Sequence, residues 1–384
     1  MSDPQPPTRV LVVAKGFPPD LGGIETYSYE VSRAYAQLGC AVHVLTSHQV
    51  ERAADPDGFA WFESVRQTRQ SATALRLLAS LAKLRARGYA PDLIHATSWR
   101  VAGLARMVWP GARLAVTVHG REVFDVSRSV RTLAANVLRA ADQLVFVSSP
   151  IREKFVAAYP SFHGRKRMLV AWNGCTDWPP GLRNPAREAG TIFTVCRLVE
   201  RKNVRSAIAA VARLRDRGIA FRYRVAGAGP DAAHLQQQIA DLELEPHVEM
   251  LGRVPDDDLA AEYSRAAIFL HPQIAAADGA DVEGFGIAIA DAMRFGAVPI
   301  AGDNGGPRDF IATGENGYLV DGLDIDELAG CLERLLTDDA LRERLASRAS
   351  EFAHRNFSWR SHVTAILDAC IEPSVRPSPA FAVE

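Results

Sequence analysis

At 384 residues the chain is too long for one ordinary hydrophobic core, so two domains are expected. A hydrophobic share of 48% is typical of a soluble globular protein, and a net charge of −1 excludes a polyanion binder driven by bulk charge. Five cysteines (Cys40, Cys175, Cys196, Cys331, Cys370), odd in number and without CxxC spacing, argue against a disulfide framework or zinc site and for a reducing cytosol. The opening Met1-Ser2-Asp3-Pro4 lacks a signal-peptide pattern, and no apolar run approaches the ~20 residues of a bilayer span. A cytoplasmic protein is expected, with any membrane contact peripheral.

Arg9–Ala14 reads as a strand, followed by a Gly22-Gly23 turn and a helical period at Ile24, Tyr27, Val31, Ala34, Tyr35 and Leu38. Further strands follow at Ala41–Thr46, Asp92–Ala96, Arg113–Val118, Gln143–Val147 and Met168–Ala171. Helices at Leu75–Leu84, Trp99–Val108 and Val130–Ala140 alternate with them. This alternation predicts a doubly wound parallel sheet over residues 1–180. Proline and glycine cluster over Trp178–Pro185 as a linker. The pattern then restarts over 186–355. Strands are expected at Thr191–Cys196, Tyr223–Ala226, His247–Leu251, Ala267–His271 and Ala297–Ala301, with helices at Val204–Arg217, Ala232–Leu242, near Asp258–Ala266, and from Asp326 to Ala353. A last helix covers about 358–372, and the proline-bearing tail Pro373–Glu384 is expected to fray. Two α/β domains of similar size, with a ligand cleft between them, follow from this order.

The most informative stretch is Glu283-Gly284-Phe285-Gly286-Ile287-Ala288-Ile289-Ala290-Asp291, with Gly305-Gly306 after it. Glu283 lies in a loop feeding a helix start, where backbone N–H groups attract anions, and Asp291 lies on the apolar helix itself. A carboxylate beside a phosphate-attracting helix start suits a ligand that is both hydroxylated and phosphorylated, such as a nucleotide sugar. Gly22 and Gly23 offer bare backbone to a diphosphate at another helix start, while Glu25 reads as a cap. His119 closes a strand at its carboxyl end. Arg197 and Lys202 end the first strand of the second domain, where two fixed cations could neutralise a leaving diphosphate without a metal. Gly227-Ala228-Gly229-Pro230 formally fits a dinucleotide turn with Glu249 downstream, although Pro230 removes an N–H that a pyrophosphate would use. Asp256-Asp257-Asp258 reads as helix capping rather than a metal site. Asp278 and Asp281 lie in a loop and suggest no specific role.

Taken in order, FPPDLGGIE (17–25), TVHG (117–120), WNG (172–174), CRLVERKNV (196–204), VAGAGP (225–230), EGFGIAIADAM (283–293), GDNGG (302–306) and GENGYLV (314–320) resemble the GT-B retaining glycosyltransferases of family 4 across nearly the whole chain. The resemblance implies two Rossmann-like domains, a final helix packed back on the first, and a UDP- or GDP-sugar held mainly by the second. It further implies that Gly23 touches the diphosphate by its backbone, and that His119 approaches the donor sugar. Arg197 and Lys202 would bind the diphosphate, and Glu283 the sugar hydroxyls. Phe285, Gly286 and Ile287 would present N–H groups to phosphate, and the base would lie near Gly252–Val254. Two departures stand out: Asp291 replaces the usual ribose-binding glutamate, and Thr176 stands where an aspartate often follows Asn-Gly.

The expected activity is retaining transfer of a hexosyl unit to an acceptor hydroxyl, with no cofactor or metal required. Residues 1–185 hold 23 Lys and Arg against 14 Asp and Glu, and the remainder 21 against 31. The basic half, with Arg128, Arg131, Arg139, Arg165, Lys166 and Arg167, suits a lipid-linked or polysaccharide acceptor at an anionic membrane surface. A small soluble acceptor stays open. So do an NAD-dependent oxidoreductase using Gly227 and Gly229, and a non-catalytic nucleotide-sugar binder.

Overall fold

A computed structural model of the chain describes residues 8–20, 22–47, 58–66, 69–178, 187–276, 279 and 281–371. The chain divides into two compact units, residues 1–173 with 358–384, and residues 174–357. Asp278, most of the expected linker and the expected frayed tail lie outside the described residues.

Unit 1 is a seven-stranded parallel sheet. Its strands are β1 (Arg9–Ala14), β2 (Ala41–Thr46), β3 (Trp61–Ser64), β4 (Leu93–Ala96), β5 (Arg113–Val118), β6 (Gln143–Phe146) and β7 (Met168–Val170). They lie in the order β3-β2-β1-β4-β5-β6-β7. The crossovers carry α1 (Gly23–Gln37), α2 (Gln70–Ala86), α3 (Trp99–Val108), α4 (Arg121–Phe124), α5 (Arg128–Arg139) and α6 (Ser149–Ala158). β4 and β6 are buried at every position, as strands covered on both faces must be. Three elements of this unit escaped the sequence reading, one of them the four-residue α4. β3 is a four-residue edge strand, Trp-Phe-Glu-Ser, too short for an alternation to register. α6 starts at Ser149-Pro150, where a proline in the first turn is a helix-start signal.

Unit 2 contains β8 (Glu188–Val195), β9 (Arg222–Ala226), β10 (Val248–Gly252), β11 (Ala266–His271), β12 (Val298–Gly302) and β13 (Tyr318–Val320). They form a parallel sheet in the order β10-β9-β8-β11-β12-β13. Around it lie α7 (Val204–Asp216), α8 (Ala232–Asp241), α9 (Asp256–Arg265), α10 (Ile287–Arg294), α11 (Ile325–Thr337) and α12 (Asp339–Asn356). In each sheet the strand order reverses beside the unit's first strand, between β1 and β4 and between β8 and β11. Ligands of open α/β sheets bind at the carboxyl ends on either side of such a reversal.

The last helix, α13 (Trp359–Ile371), belongs to unit 1 and packs on α1 and on β4, β5 and β6. It buries Trp359, Val363, Ile366 and Cys370, and places His362 in a buried polar chain. His362 Nδ1 is 3.0 Å from the Trp172 carbonyl, which only accepts, so Nδ1 carries the proton and Nε2 accepts from Tyr27 Oη at 2.8 Å. Tyr27 Oη then accepts from Thr117 Oγ1 at 2.8 Å, and Thr117 accepts from His95 Nε2 at 2.8 Å. His95 Nδ1 is left to accept from Tyr35 Oη at 3.1 Å. Every member is neutral and partnered, the condition under which a buried polar network is stabilising.

Candidate functional site

In unit 2 the strand reversal brings together the side chains of Lys202, Arg201, His271, Glu283 and Asp281. β8 ends in the loop 196–199, and a 3-10 turn, Glu200–Lys202, follows. β11 ends at His271, and the loop 281–286 leads into α10. Lys202 Nζ donates to Glu283 Oε2 and lies 3.1 Å from His271 Nε2. Arg201 Nη1 donates to the same Oε2 at 3.0 Å, while its Nε lies 3.3 Å from Asp281 Oδ2. Burial alone would raise the Glu283 carboxyl, but the Lys202 and Arg201 cations outweigh it and hold the group well below the usual carboxylate range. Burial and the Lys202 ammonium push His271 down to about 4, so its neutral Nε2 accepts from Lys202. Its Nδ1 is buried and has no hydrogen-bond partner among the described residues.

The loop bearing Glu283 is held from two sides. The Phe285 side chain is buried against Phe310 and Phe357, with ring centroids 5.2 and 5.5 Å away. Gly306 N–H donates to the Glu283 carbonyl at 2.9 Å. Gly305 has φ 68°, and a Cβ there would collide with the Glu283 carbonyl. The Gly305-Gly306 pair therefore exists to let two backbones touch. Gly286 caps α10 and Ile287 opens it.

Arg197 is solvent-exposed at the end of β8, and no ion pair holds it among the described residues. Gly252 ends β10, and its carbonyl accepts from Gly227 N–H at 2.7 Å. Val254 lines a shallow groove of about 330 Å³ with Leu251, Arg253, Pro255 and Asp258. A Cβ at Gly227 or Gly229 would strike the carbonyls of Cys196 or Leu198. These glycines serve a close backbone approach within the sheet, which removes the main support for a dinucleotide turn there. Asp256 opens α9, and no group of His, Cys, Asp and Glu with metal-holding geometry occurs among the described residues.

Asp291 lies on the buried helix α10, as its apolar neighbours predict. It is 3% exposed, and both carboxylate oxygens are engaged by one residue. Thr176 N–H donates to Oδ1 at 2.7 Å, and Thr176 Oγ1 donates to Oδ2 at 2.8 Å. The two departures from the family pattern are thus one contact. Burial raises the Asp291 carboxyl to about 7 against the lowering effect of those two bonds.

Unit 1 gathers its own residues at the reversal. Lys15 N–H donates to Thr97 Oγ1 at 3.3 Å, tying the end of β1 to that of β4. Gly22 caps α1 and Gly23 is its first residue, both exposed. The Glu25 carboxylate folds against Gly16 and Gly22, where a Cβ at either would meet it. His119 follows β5, and its N–H donates to Glu122 Oε1 at 2.7 Å. Its ring stands edge-on to Tyr27, with centroids 4.6 Å apart, and burial lowers it to about 3. Its Nε2 is buried without a partner among the described residues.

Arg201, His271 and Asp281 were not singled out as site residues by the sequence. The usable signals were the adjacency of Arg201 to Lys202 and the place of His271 at a strand's carboxyl end, the same place that marked His119.

Two Rossmann-like units, each a parallel sheet wound with helices, are the architecture of the GT-B class of glycosyltransferases. The profile "Glycosyltransferase Family 4" matches residues 21–177 and "Glycosyl transferases group 1" matches residues 183–352. The chain is a GT-B glycosyltransferase and belongs to the glycosyl transferases of group 1. It is 28% identical over 382 residues to a GDP-mannose-dependent alpha-(1-6)-phosphatidylinositol monomannoside mannosyltransferase of Mycobacterium tuberculosis, across 94% of this chain and 97% of that protein. It is 34% identical over 171 residues to the putative colanic acid biosynthesis glycosyltransferase WcaL of Salmonella typhimurium, across 44% and 42% of the two chains. Its fold is similar to sucrose-phosphate synthase from Thermosynechococcus elongatus (TM-score 0.76, 18% identity, 94% of this chain and 97% of that one). It is similar also to Anabaena HepE in complex with UDP and glucose (TM-score 0.72, 21% identity, 94% and 100%).

Proposed function

We propose that the protein transfers a hexosyl unit, mannose foremost, from a GDP- or UDP-sugar to an acceptor hydroxyl with retention at the anomeric carbon. The observation that carries this reading is the convergence of Lys202, Arg201 and His271 on Glu283 beside the exposed Arg197, at the strand reversal of unit 2. The full-length likeness to a GDP-mannose-dependent enzyme favours mannose. In this reading Glu283 holds sugar hydroxyls while Arg197 and Lys202 stabilise the departing diphosphate. Glu283 is already engaged by cations, which suits binding better than nucleophilic attack. The acceptor oxygen bonds to the anomeric carbon on the face from which the diphosphate leaves, and a phosphate oxygen takes the acceptor proton. Within unit 2, Gly252 and Val254 flank the base, and Phe285, Gly286 and Ile287 offer backbone N–H groups. Asp291 acts on the ribose only after giving up a Thr176 bond.

Thermal shift with GDP, UDP, ADP and NAD, followed by slow hydrolysis of GDP-mannose and UDP-glucose, tests the reading. Stabilisation by GDP or UDP and release of free sugar are expected. Stabilisation by NAD alone, or nucleotide binding without hydrolysis or transfer, overturns it.

On the acceptor side, α5 exposes Arg128, Arg131 and Arg139 together with Leu133, which is 56% accessible. This favours a lipid-linked or polysaccharide acceptor met at an anionic surface. Sedimentation with vesicles containing phosphatidylglycerol, but not with phosphatidylcholine alone, is the expected result. Equal absence from both pellets at low salt refutes it.

A further inference from the structure

Arg201 lies between two carboxylates. Its Nη1 is 3.0 Å from Glu283 Oε2 and its Nε 3.3 Å from Asp281 Oδ2. The side chains of Arg201, Glu283 and Asp281 are 13%, 12% and 21% exposed, so this is not a solvated surface pair. The Arg201 carbonyl accepts from Ile274 N–H at 2.9 Å, which fixes the backbone from which the guanidinium projects. A planar guanidinium can bind two carboxylates in one fixed arrangement, which a lysine at this position could not reproduce.

All the basic groups around Glu283 lie on one oxygen. Arg201 and Lys202 both donate to Oε2, and His271 Nε2 is 3.6 Å from it, whereas Oε1 has no such contact among the described residues. Charge adds a second constraint. With His271 neutral, Arg201 and Lys202 balance Glu283 and Asp281. Without Arg201 the cluster carries one net negative charge where an anionic donor must approach.

The geometry points to Arg201 as a positioning residue of the donor site: anchored on Asp281, it fixes Glu283 with Oε1 turned to the donor sugar and offsets its charge so that Lys202 remains available to the diphosphate. This rests on the donor-binding reading above. It adds a specific role for a residue other than the Arg197 and Lys202 pair.

Arg201→Gln and Arg201→Lys test the role by two readouts. The first is donor KM and kcat in hydrolysis of GDP-mannose and UDP-glucose. The second is the midpoint of the Glu283 carboxyl in ligand-free protein, followed by carbon-13 NMR and assigned with Glu283→Gln. Arg201→Gln should raise donor KM about tenfold or more, with a smaller change in kcat, and should move the Glu283 midpoint up. Arg201→Lys should restore part of the KM and less of the geometry-dependent kcat. An unchanged KM and midpoint in Arg201→Gln overturns the inference, as does a loss confined to kcat. If Arg201→Gln does not fold, Arg201→Lys carries the test, and parental values of both quantities in that variant overturn it. If the parent hydrolyses neither donor while the Glu283 midpoint still moves, the donor reading falls and the Arg201 tie to Glu283 stands.

Discussion

At the residue scale, the contrast between Glu283 and Asp291 is instructive. Both are carboxylates largely withdrawn from water on the two sides of one glycine loop, yet Glu283 is held ionised by cations and Asp291 is raised to about 7 by burial, against two Thr176 bonds and the charge of Arg294. Thr176→Val removes one donor from a buried carboxyl group, and should cost about 1–3 kcal/mol in chemical denaturation. Thr176→Ser should recover most of that loss. A neutral result for Thr176→Val would mean that water replaces the hydroxyl. Arg197→Ala leaves the fold alone, because the side chain is exposed, and should lower kcat/KM by about a hundredfold. Near-parental turnover would remove Arg197 from the site. Glu283 and Lys202 were legible in the sequence because the signal is local: an acid in a loop before a helix, and a cation just past a strand end. The environment of Asp291 was not, since its partner Thr176 is 115 positions away and no pattern of residue types reports which loop covers a buried carboxyl group.

At the element scale, the strands and most helices followed from apolar runs and 3.6-residue spacing, because parallel strands buried on both faces are conspicuous. β3, β13, α4 and α6 were missed where the element was short or its signal was a single proline. α13 was placed correctly as a helix, but its docking depends on a polar chain that spacing does not reveal. Tyr27 Oη stands at the centre of that chain and contacts His362 and Thr117, with His95 3.3 Å away. Tyr27→Phe leaves His362 Nε2 and Thr117 Oγ1 in the interior with one partner fewer. It should lower unit 1 stability by about 1–3 kcal/mol and speed amide exchange in residues 359–371 before the rest of that unit. Unchanged protection of α13 would show that its apolar side chains alone hold it.

At the scale of the whole molecule, the two units should respond differently to acid. Burial lowers His95 and His119 to about 3 and His362 to about 4 in unit 1, with His271 at about 4 in unit 2. A histidine whose folded value is lowered contributes its full stability above the unfolded value of ~6.5 and loses it as pH falls toward the folded value. Each such group costs up to about 1.4 kcal/mol per pH unit in that window, and the Glu122 carboxyl of unit 1, raised by burial, offsets part of the loss. Glu283 adds an acid-side loss in unit 2 only below the usual carboxylate range. Asp291 runs the other way, because a raised carboxyl favours the folded state most at low pH and loses that contribution as pH rises through about 7. Hydrogen exchange between pH 7 and pH 4.5 should therefore find unit 1 opening first. Equal opening of both units, or earlier opening of unit 2, would contradict the assignment of neutral buried histidines.

The return of α13 to unit 1 has a further consequence for biosynthesis. While the ribosome is still synthesising residues 174–357, unit 1 lacks its last helix, and the Tyr27 hydroxyl lacks His362. Unit 2 is contiguous and can mature as it emerges, whereas unit 1 must wait, half-sealed, for residues 359–371 to be released. A stalled nascent chain ending before Trp359 should accordingly expose unit 1 to chaperones and proteases after unit 2 has become resistant.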